Sequence, residues 1–196
     1  IGTLLKVRTH PEIFKLFIAW FLVYLASHEV QTNWAYFTMY KFAWDEKTVG
    51  ISLGVMGAFT AFVQGFLIRK VHPKLGSERS ILYGIMFYCT GMLLFAFAQK
   101  EWMMYAILAI YCLGGIAGPA LQSVISSKVS AKEQGDLQGA LTSVISITSI
   151  IGPLLMTQIF YFFTHPDAKI KLLTLELKPP FQFSGAPFFL GFALMA

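Results

Sequence analysis

The chain has 196 residues, of which 56% are hydrophobic and only 13% are charged, with a net charge of +5. Soluble domains carry about a quarter charged residues, so this composition excludes an ordinary water-facing surface and predicts an all-α membrane protein. The basic residues lie in short loops between apolar runs, which favours a role in membrane orientation over nucleic-acid binding.

A helix that crosses the bilayer core needs about 20 mostly apolar residues. Runs of this kind predict spans at roughly residues 13–40, 48–68, 80–98, 102–126 and 137–163, followed by a shorter run at 186–196. Turns are predicted at Trp44 to Thr48, where Asp45 caps the second helix, at His72 to Arg79 and at Gln99 to Trp102. Because the last run is about half a span long, we expect the chain to be a piece of a longer protein.

The distribution of lysine and arginine predicts the orientation of the chain. Nine of them fall on the side of the first residue, and three fall in short loops on the other side. The positive-inside rule therefore places the start of the chain in the cytoplasm. The loop at residues 164–185 then lies outside; its sequence allows a short strand, and we assign it no function.

Small residues form stripes on three of the predicted spans, the second and the fifth among them, and they predict close helix contacts or bends. Amides on the same spans differ from the glycines, because an amide at membrane depth needs hydrogen-bond partners that a bound solute can supply. The predicted packing glycines are Gly50, Gly54, Gly118, Gly139 and Gly152, and the amides are Gln64, Gln122 and Gln138.

A polar run, SHEVQTN, interrupts the first span at Ser27 to Asn33. On a helical wheel its polar groups share an arc of about 140° that should face a water-filled cavity, because ionisable groups are costly against lipid. The arc contains His28, Glu29, Thr32, Asn33, Tyr36 and Tyr40, and Gln31 lies outside it. Two interpretations remain open: Glu29 carries a proton or a counter-charge with His28 tuning it, or the run is a solvated, inert helix end.

Enzyme signatures are absent from the sequence, which contains no CxxC, HExxH, GxSxG or Walker A pattern. Cys89 and Cys112 fall inside apolar runs, where thiols pack as small apolar groups. We therefore expect neither an enzyme nor a bound metal or cofactor.

Five segments together carry a resemblance to a known family. They are FAWDEKTVGISLGVMG (42–57), LGSER (75–79), GGIAGPALQ (114–122), QGDLQGAL (134–141) and IIGPLL (150–155). In this order and spacing they resemble the tetracycline/H+ antiporter branch of the major facilitator superfamily. The resemblance implies the carboxy-terminal six-helix half of a twelve-helix transporter, built from inverted repeats and working by alternating access.

What the resemblance implies is a proton-coupled exporter of drugs or other amphipathic molecules, in a bacterial cytoplasmic membrane. Its partners would be the amino-terminal six-helix half, the lipid bilayer, a small-molecule substrate and protons, with no nucleic acid. Glu29 and His28 are then the predicted proton-coupling residues. The predicted substrate-binding residues are Thr32, Asn33, Tyr36, Gln64, Gln122 and Gln138.

The chain departs from the resembled antiporters at two positions. Those proteins place a coupling histidine in the eighth helix and an aspartate in the ninth, where this sequence has Thr60 and Tyr88. Neither residue can perform the same proton chemistry. Two alternatives to a drug exporter also remain open: an importer of a nutrient or cell-wall metabolite, and a non-transporting membrane scaffold.

Overall fold

A computed structural model of the chain describes residues 11–165, 170–172, 175–177 and 182–196. Its helices are α1 (Pro11–Phe42), α2 (Glu46–Phe62), α3 (Ile68–Phe97), α4 (Glu101–Leu113), α5 (Ala117–Ser127), α6 (Gln134–Thr164) and α7 (Ala186–Met195). A π turn at Val63–Leu67 joins α2 to α3, and 3-10 turns at Gly114–Ile116 and Ala131–Glu133 precede α5 and α6. This helical body confirms the predicted all-α class.

Two short strands lie in the loop between α6 and α7. They are β1 (Ile170–Leu172) and β2 (Leu175–Leu177), which pair antiparallel with Ile170 opposite Leu177. The rest of the predicted 164–185 loop lies partly outside the described residues.

Within the described residues, three helical stretches are long and apolar enough to cross a membrane, namely Glu46–Phe97, Glu101–Ser127 and Ala131–Thr164. The first of these contains two passes, because Gly76 breaks it with a positive φ of 75°. Glycine adopts this backbone conformation without a steric penalty, whereas a side chain would be strained there. The chain therefore reverses at one residue, and the turn predicted at His72 to Arg79 is helical on both sides of it.

Contacts with α4 and α5 establish the reversal at Gly76. Trp44, just before α2, stacks on Tyr105 at 5.6 Å, and the Thr60 hydroxyl near the end of α2 donates to the Cys112 sulfur at 3.7 Å, so α2 and α4 run in the same direction. Along α3 the contacts run oppositely, with Gly91 against Tyr111 and Gly84 against Ala117. The helices α2 and α3 are therefore antiparallel to each other.

Helix α1 contributes to both apolar clusters of the bundle. Towards its end, Trp34 packs edge-on against Phe95 of α3 at 5.2 Å, and Phe37 packs against Phe188 of α7 at 4.8 Å. Towards its start, Trp20 belongs to a second cluster, which α5 and α6 complete. Through these two clusters, α1 contacts most of the other helices.

The predicted cap of α2 is confirmed. The Asp45 carboxylate accepts a hydrogen bond from the Thr48 backbone N–H at 2.9 Å. An aspartate at this position satisfies an N–H group that the helix itself leaves unpaired.

Candidate functional site

A cavity of about 470 Å³ lies among α1, α2, α3, α4 and α5. Its walls combine aromatic rings, aliphatic groups, amides and hydroxyls. The lining residues are Val23, Tyr24, Ser27, Val30, Gln31, Met56, Thr60, Gln64, Tyr88, Tyr111, Gly115, Gly118, Pro119 and Gln122. Mixed apolar and polar linings of this kind are typical of small-molecule sites.

Irregular backbone on two neighbouring helices shapes this cavity. The π turn at Val63–Leu67 carries Gln64, and the 3-10 turn at Gly114–Ile116 carries Gly115. A Cβ atom built on Gly115 would lie 3.9 Å from Gln64 Nε2 and from the Tyr88 hydroxyl. Such turns inside helices often accompany functional sites, and the missing side chain at Gly115 leaves both polar groups accessible.

The polar side chains that line the cavity are amides and hydroxyls, which carry no formal charge. They are the amides Gln31, Gln64 and Gln122, the hydroxyls Ser27 and Thr60, and three tyrosines. No lysine, arginine, aspartate or glutamate lines it among the described residues. The cavity can therefore hold a ligand by hydrogen bonds and aromatic contact, but this part of the chain offers it no ion pair.

Thr60 and Tyr88, the two positions that depart from the resembled antiporters, both line the cavity. Thr60 donates to the Cys112 sulfur, and Cys112 approaches the Met56 carbonyl at 3.8 Å. The ring of Tyr88 lies flush against Gly114, whose built Cβ atom would come within 2.5 Å of it. At the two positions where the resemblance implies an ionisable pair, this cavity carries two hydroxyl groups.

Glu29 lies outside the cavity, buried between α1 and its neighbours. Its exposed fraction is 0%, as is that of Asn33, whose Nδ2 donates to Glu29 Oε2 at 2.8 Å. The Thr157 hydroxyl of α6 donates to Asn33 Oδ1 at 3.5 Å and extends the network across the helix contact. Glu29 Oε1 and the adjacent His28 Nε2 are buried and have no hydrogen-bond partner in the described part of the chain.

The expectation that the whole polar arc faces a water-filled cavity is therefore wrong. The bond from Asn33, one helical turn away, lets Glu29 lie inside the bundle. Tyr36 and Tyr40 are exposed, Thr32 is half-buried, and none of the arc's residues lines the cavity. The proton-coupling roles of Glu29 and His28 stay predictions, as do substrate contacts by Thr32, Asn33 and Tyr36.

Two of the three predicted amides line the cavity, and the third is hydrogen-bonded to one of them. Gln64 and Gln122 line the cavity, and Gln138 of α6 lies just outside it, where Gln138 Oε1 accepts a bond from Gln122 Nε2 at 3.1 Å. Sequence reasoning missed the α1 contribution of Tyr24, Ser27 and Gln31. Their spacing of three and four residues was the available signal.

The predicted packing glycines divide into two groups. A Cβ built on Gly152 would come within 2.7 Å of His28, so this glycine forms a close helix contact. At Gly50, Gly54, Gly118 and Gly139 no atom of the described chain lies within 4 Å of such a Cβ. These four make no close contact within the described residues, and packing on another helix stays a prediction for them.

The sequence model of the Major Facilitator Superfamily matches residues 2–196 of the chain. The class D tetracycline resistance protein of Salmonella ordonez is 39% identical over 158 residues, which cover 81% of this chain and 39% of that protein. The class G protein of Vibrio anguillarum is 38% identical over 145 residues, covering 74% of this chain and 37% of that protein. The human Hippocampus abundant transcript 1 protein is 25% identical over 168 residues, with coverages of 86% and 34%.

The chain spans less than two-fifths of the length of these curated relatives. The family match nevertheless extends over nearly the whole sequence, and the membrane-length helices agree with it. The chain is therefore a multi-pass membrane protein of a transporter family rather than an enzyme, and it belongs to the major facilitator superfamily.

Proposed function

We propose that the chain is the carboxy-terminal half of a proton-coupled secondary transporter, which exports drugs or other amphipathic molecules from a bacterial cytoplasm by alternating access. The observation that carries the proposal is the cavity of about 470 Å³ among five helices, lined by amides, hydroxyls and aromatic rings. Such a lining suits a ligand with one aromatic face and several hydrogen-bonding groups.

The first substrate to test is tetracycline, since the names of several relatives associate them with resistance to it. Thr60 and Tyr88 give the cavity wall a different chemistry from that of the resembled antiporters. A second test compound should therefore be uncharged between pH 5.5 and 8, a range that brackets the ordinary histidine pKa of about 6.5. Chloramphenicol, which combines an aromatic ring, an amide group and two hydroxyl groups, meets this requirement.

The proposed partner is an amino-terminal six-helix half that closes the cavity from the other side. Two exposed faces of small residues support this. One runs along α2 with Gly50, Gly54 and Gly57 and continues to Gly65 in the π turn, and the other is on α6, with Gly135 and Gly139. Faces of this kind let a second helix approach closely in the membrane.

Glu29 is the proposed proton carrier, with His28 beside it. It is the one acidic residue that is buried among those described, and no lysine or arginine pairs with it there. A buried carboxylate without an ion pair has a high desolvation cost. Protonation of Glu29 removes this cost, so the protonation state strongly affects the free energy of the conformation that buries it.

Transport by the complete protein tests the proposal. Inside-out vesicles with an acidic lumen should accumulate tetracycline or chloramphenicol against a gradient, and a protonophore should abolish the accumulation. Glu29→Gln should abolish the uphill component while downhill exchange continues, because the amide keeps the shape but cannot ionise.

Two results would contradict the proposal. Solute movement in the same direction as protons would indicate an importer. If no saturable movement of either compound occurred, the exporter proposal would fail and the scaffold alternative would stand. Residues 1–196 alone serve as the control and should not transport, because alternating access needs both halves around a shared cavity.

A further inference from the structure

We propose that α1 mechanically links the buried carboxyl of Glu29 to the cavity, so that proton and substrate act on each other through movement of this helix rather than by competing for one site. This inference rests on the proposed transport function and specifies how coupling would occur. Its basis is the placement of two different sites on opposite sides of a single helix.

The cavity face of α1 consists of Val23, Tyr24, Ser27, Val30 and Gln31. At 100° per residue, the mean direction of these five residues lies roughly 140° from that of Glu29 and Asn33. Glu29 and Asn33 are fully buried and do not line the cavity. A substrate in the cavity therefore cannot displace a proton from Glu29 by direct contact.

The surroundings of Glu29 contain few groups that could compensate a charge. Its own helix supplies His28 and the Asn33 amide, and α6 supplies the Thr157 hydroxyl through Asn33. From α4, Tyr111 is within electrostatic range of the carboxyl and also lines the cavity. Helix α7 packs against this side of α1 through Gly191, which has no ionisable side chain; a Cβ built on it would lie 3.6 Å from the Ala26 carbonyl oxygen. No ion pair to Glu29 occurs within the described ranges.

Next to this network, the contact between α1 and α6 contains a position where α6 can bend. Gly152 packs on His28, and Pro153 follows it inside α6. A proline within a helix removes one backbone hydrogen bond and favours a kink. Small changes in the spacing of α1 and α6 can therefore be absorbed by bending at this position.

These features together give a mechanism. Glu29 Oε1 has no partner among the described residues. A charged Glu29 therefore favours an arrangement in which another polar group or water reaches this oxygen, whereas a neutral Glu29 favours the closed contact with α6. Because α1 also forms one wall of the cavity, a change in its position alters the shape of the cavity. By linkage, a substrate that prefers one position of α1 changes the proton affinity of Glu29, and protonation of Glu29 changes the substrate affinity by the same factor.

Thiol labelling of the complete transporter tests this link without a substrate. All native cysteines are replaced, including Cys89 by alanine and Cys112 by serine, and Ser27→Cys is introduced on the cavity face. The maleimide labelling rate is compared between about pH 5.5 and pH 8 with that of Ala131→Cys, an exposed position in the turn before α6. We expect the ratio of the two rates to change about fivefold or more across this range.

Adding Glu29→Gln should remove this pH dependence while both thiols stay reactive. An identical pH profile with and without this substitution would overturn the proposal. If Glu29→Gln fails to fold, Asn33→Ala serves instead, because it removes the hydrogen bond to Oε2 and should move the midpoint of the profile; an unmoved midpoint would equally overturn it. The transport assay reports the function and the labelling reports the link, so the two failures are distinguishable.

Discussion

Gly152 of α6 lies directly against the imidazole ring of His28 on α1. A Cβ atom built on this glycine would come within 2.7 Å of His28 Cδ2 and 2.8 Å of His28 Cβ. Carbon atoms in proteins pack at about 3.5 to 4.0 Å, so the glycine leaves no room for a side chain. The spacing of α1 and α6 therefore depends on the absence of one methyl group.

Gly152→Ala should separate these helices and lower the stability of the complete protein. Overpacking of a tight contact costs about 1 to 3 kcal/mol, which thermal unfolding in detergent can detect. Gly139→Ala is the matched control on the same helix, because nothing in the described chain lies within 4 Å of its built Cβ. Equal melting temperatures for the two variants would refute the close contact.

Asp45 gives a prediction about pH at the start of α2. Hydrogen bonds from the Thr48 hydroxyl and then from the Thr48 backbone N–H lower the pKa of Asp45 below its ordinary value of 3.8. Because the folded pKa is lower than the unfolded one, the stabilisation is present above the ordinary value and is lost as the pH falls through the lowered value.

The variant Asp45→Asn keeps a capping oxygen but cannot ionise. The melting temperature of the parent should therefore exceed that of Asp45→Asn at about pH 5, and the difference should shrink towards about pH 3. Thr48→Val, which removes the hydroxyl donor, should reduce the difference at pH 5. A difference that stays constant across this range would show that the charge does not contribute.

The sequence predicted the helical class and the cap at Asp45, because the first depends on composition and the second on local chemistry. It could not predict which neighbour each face of a helix meets. The polar arc containing Glu29 was expected to face water, but the Asn33 amide one turn away satisfies one carboxylate oxygen inside the bundle. The cavity is instead lined from the opposite face, by Ser27 and Gln31.

The small-residue stripes show a second limit of sequence reasoning. A stripe predicts that something approaches closely, but it does not say whether that neighbour belongs to the same chain. Gly152 meets His28 within this chain, whereas Gly54 and Gly139 meet nothing in its described part. Gly91 likewise meets a neighbour within the chain: it packs against Tyr111, because the chain reverses at Gly76 and α3 lies along α4.

The hydrogen bond between Gln122 and Gln138 should contribute measurably to the contact of α5 with α6. Side-chain hydrogen bonds between membrane helices contribute about 0.6 kcal/mol on average. A double-mutant cycle with Gln122→Ala, Gln138→Ala and the combined variant should give a coupling energy of about that size in the free energy of unfolding. Additive effects of the two substitutions would show that the bond contributes nothing.

The same pair of variants separates structure from binding. Gln122 lines the cavity and Gln138 does not. Gln122→Ala should therefore weaken binding of tetracycline or chloramphenicol to the purified protein, while Gln138→Ala should affect mainly stability. Equal losses of binding would place Gln138 at the substrate as well.

Gly118 allows the cavity to be filled without disturbing a helix contact. It lines the cavity, and no atom of the described chain lies within 4 Å of its built Cβ, so a leucine there would project into open space. Gly118→Leu should weaken drug binding about tenfold or more, which corresponds to about 1.4 kcal/mol, and leave the melting temperature nearly unchanged. Gly135→Leu is the matched control, because Gly135 is equally open but does not line the cavity. Gly84→Leu should behave oppositely and unfold the protein at lower temperature, because its built Cβ already approaches the Ala117 backbone nitrogen at 2.7 Å. If Gly118→Leu bound drug as tightly as Gly135→Leu, the cavity would not be the substrate site.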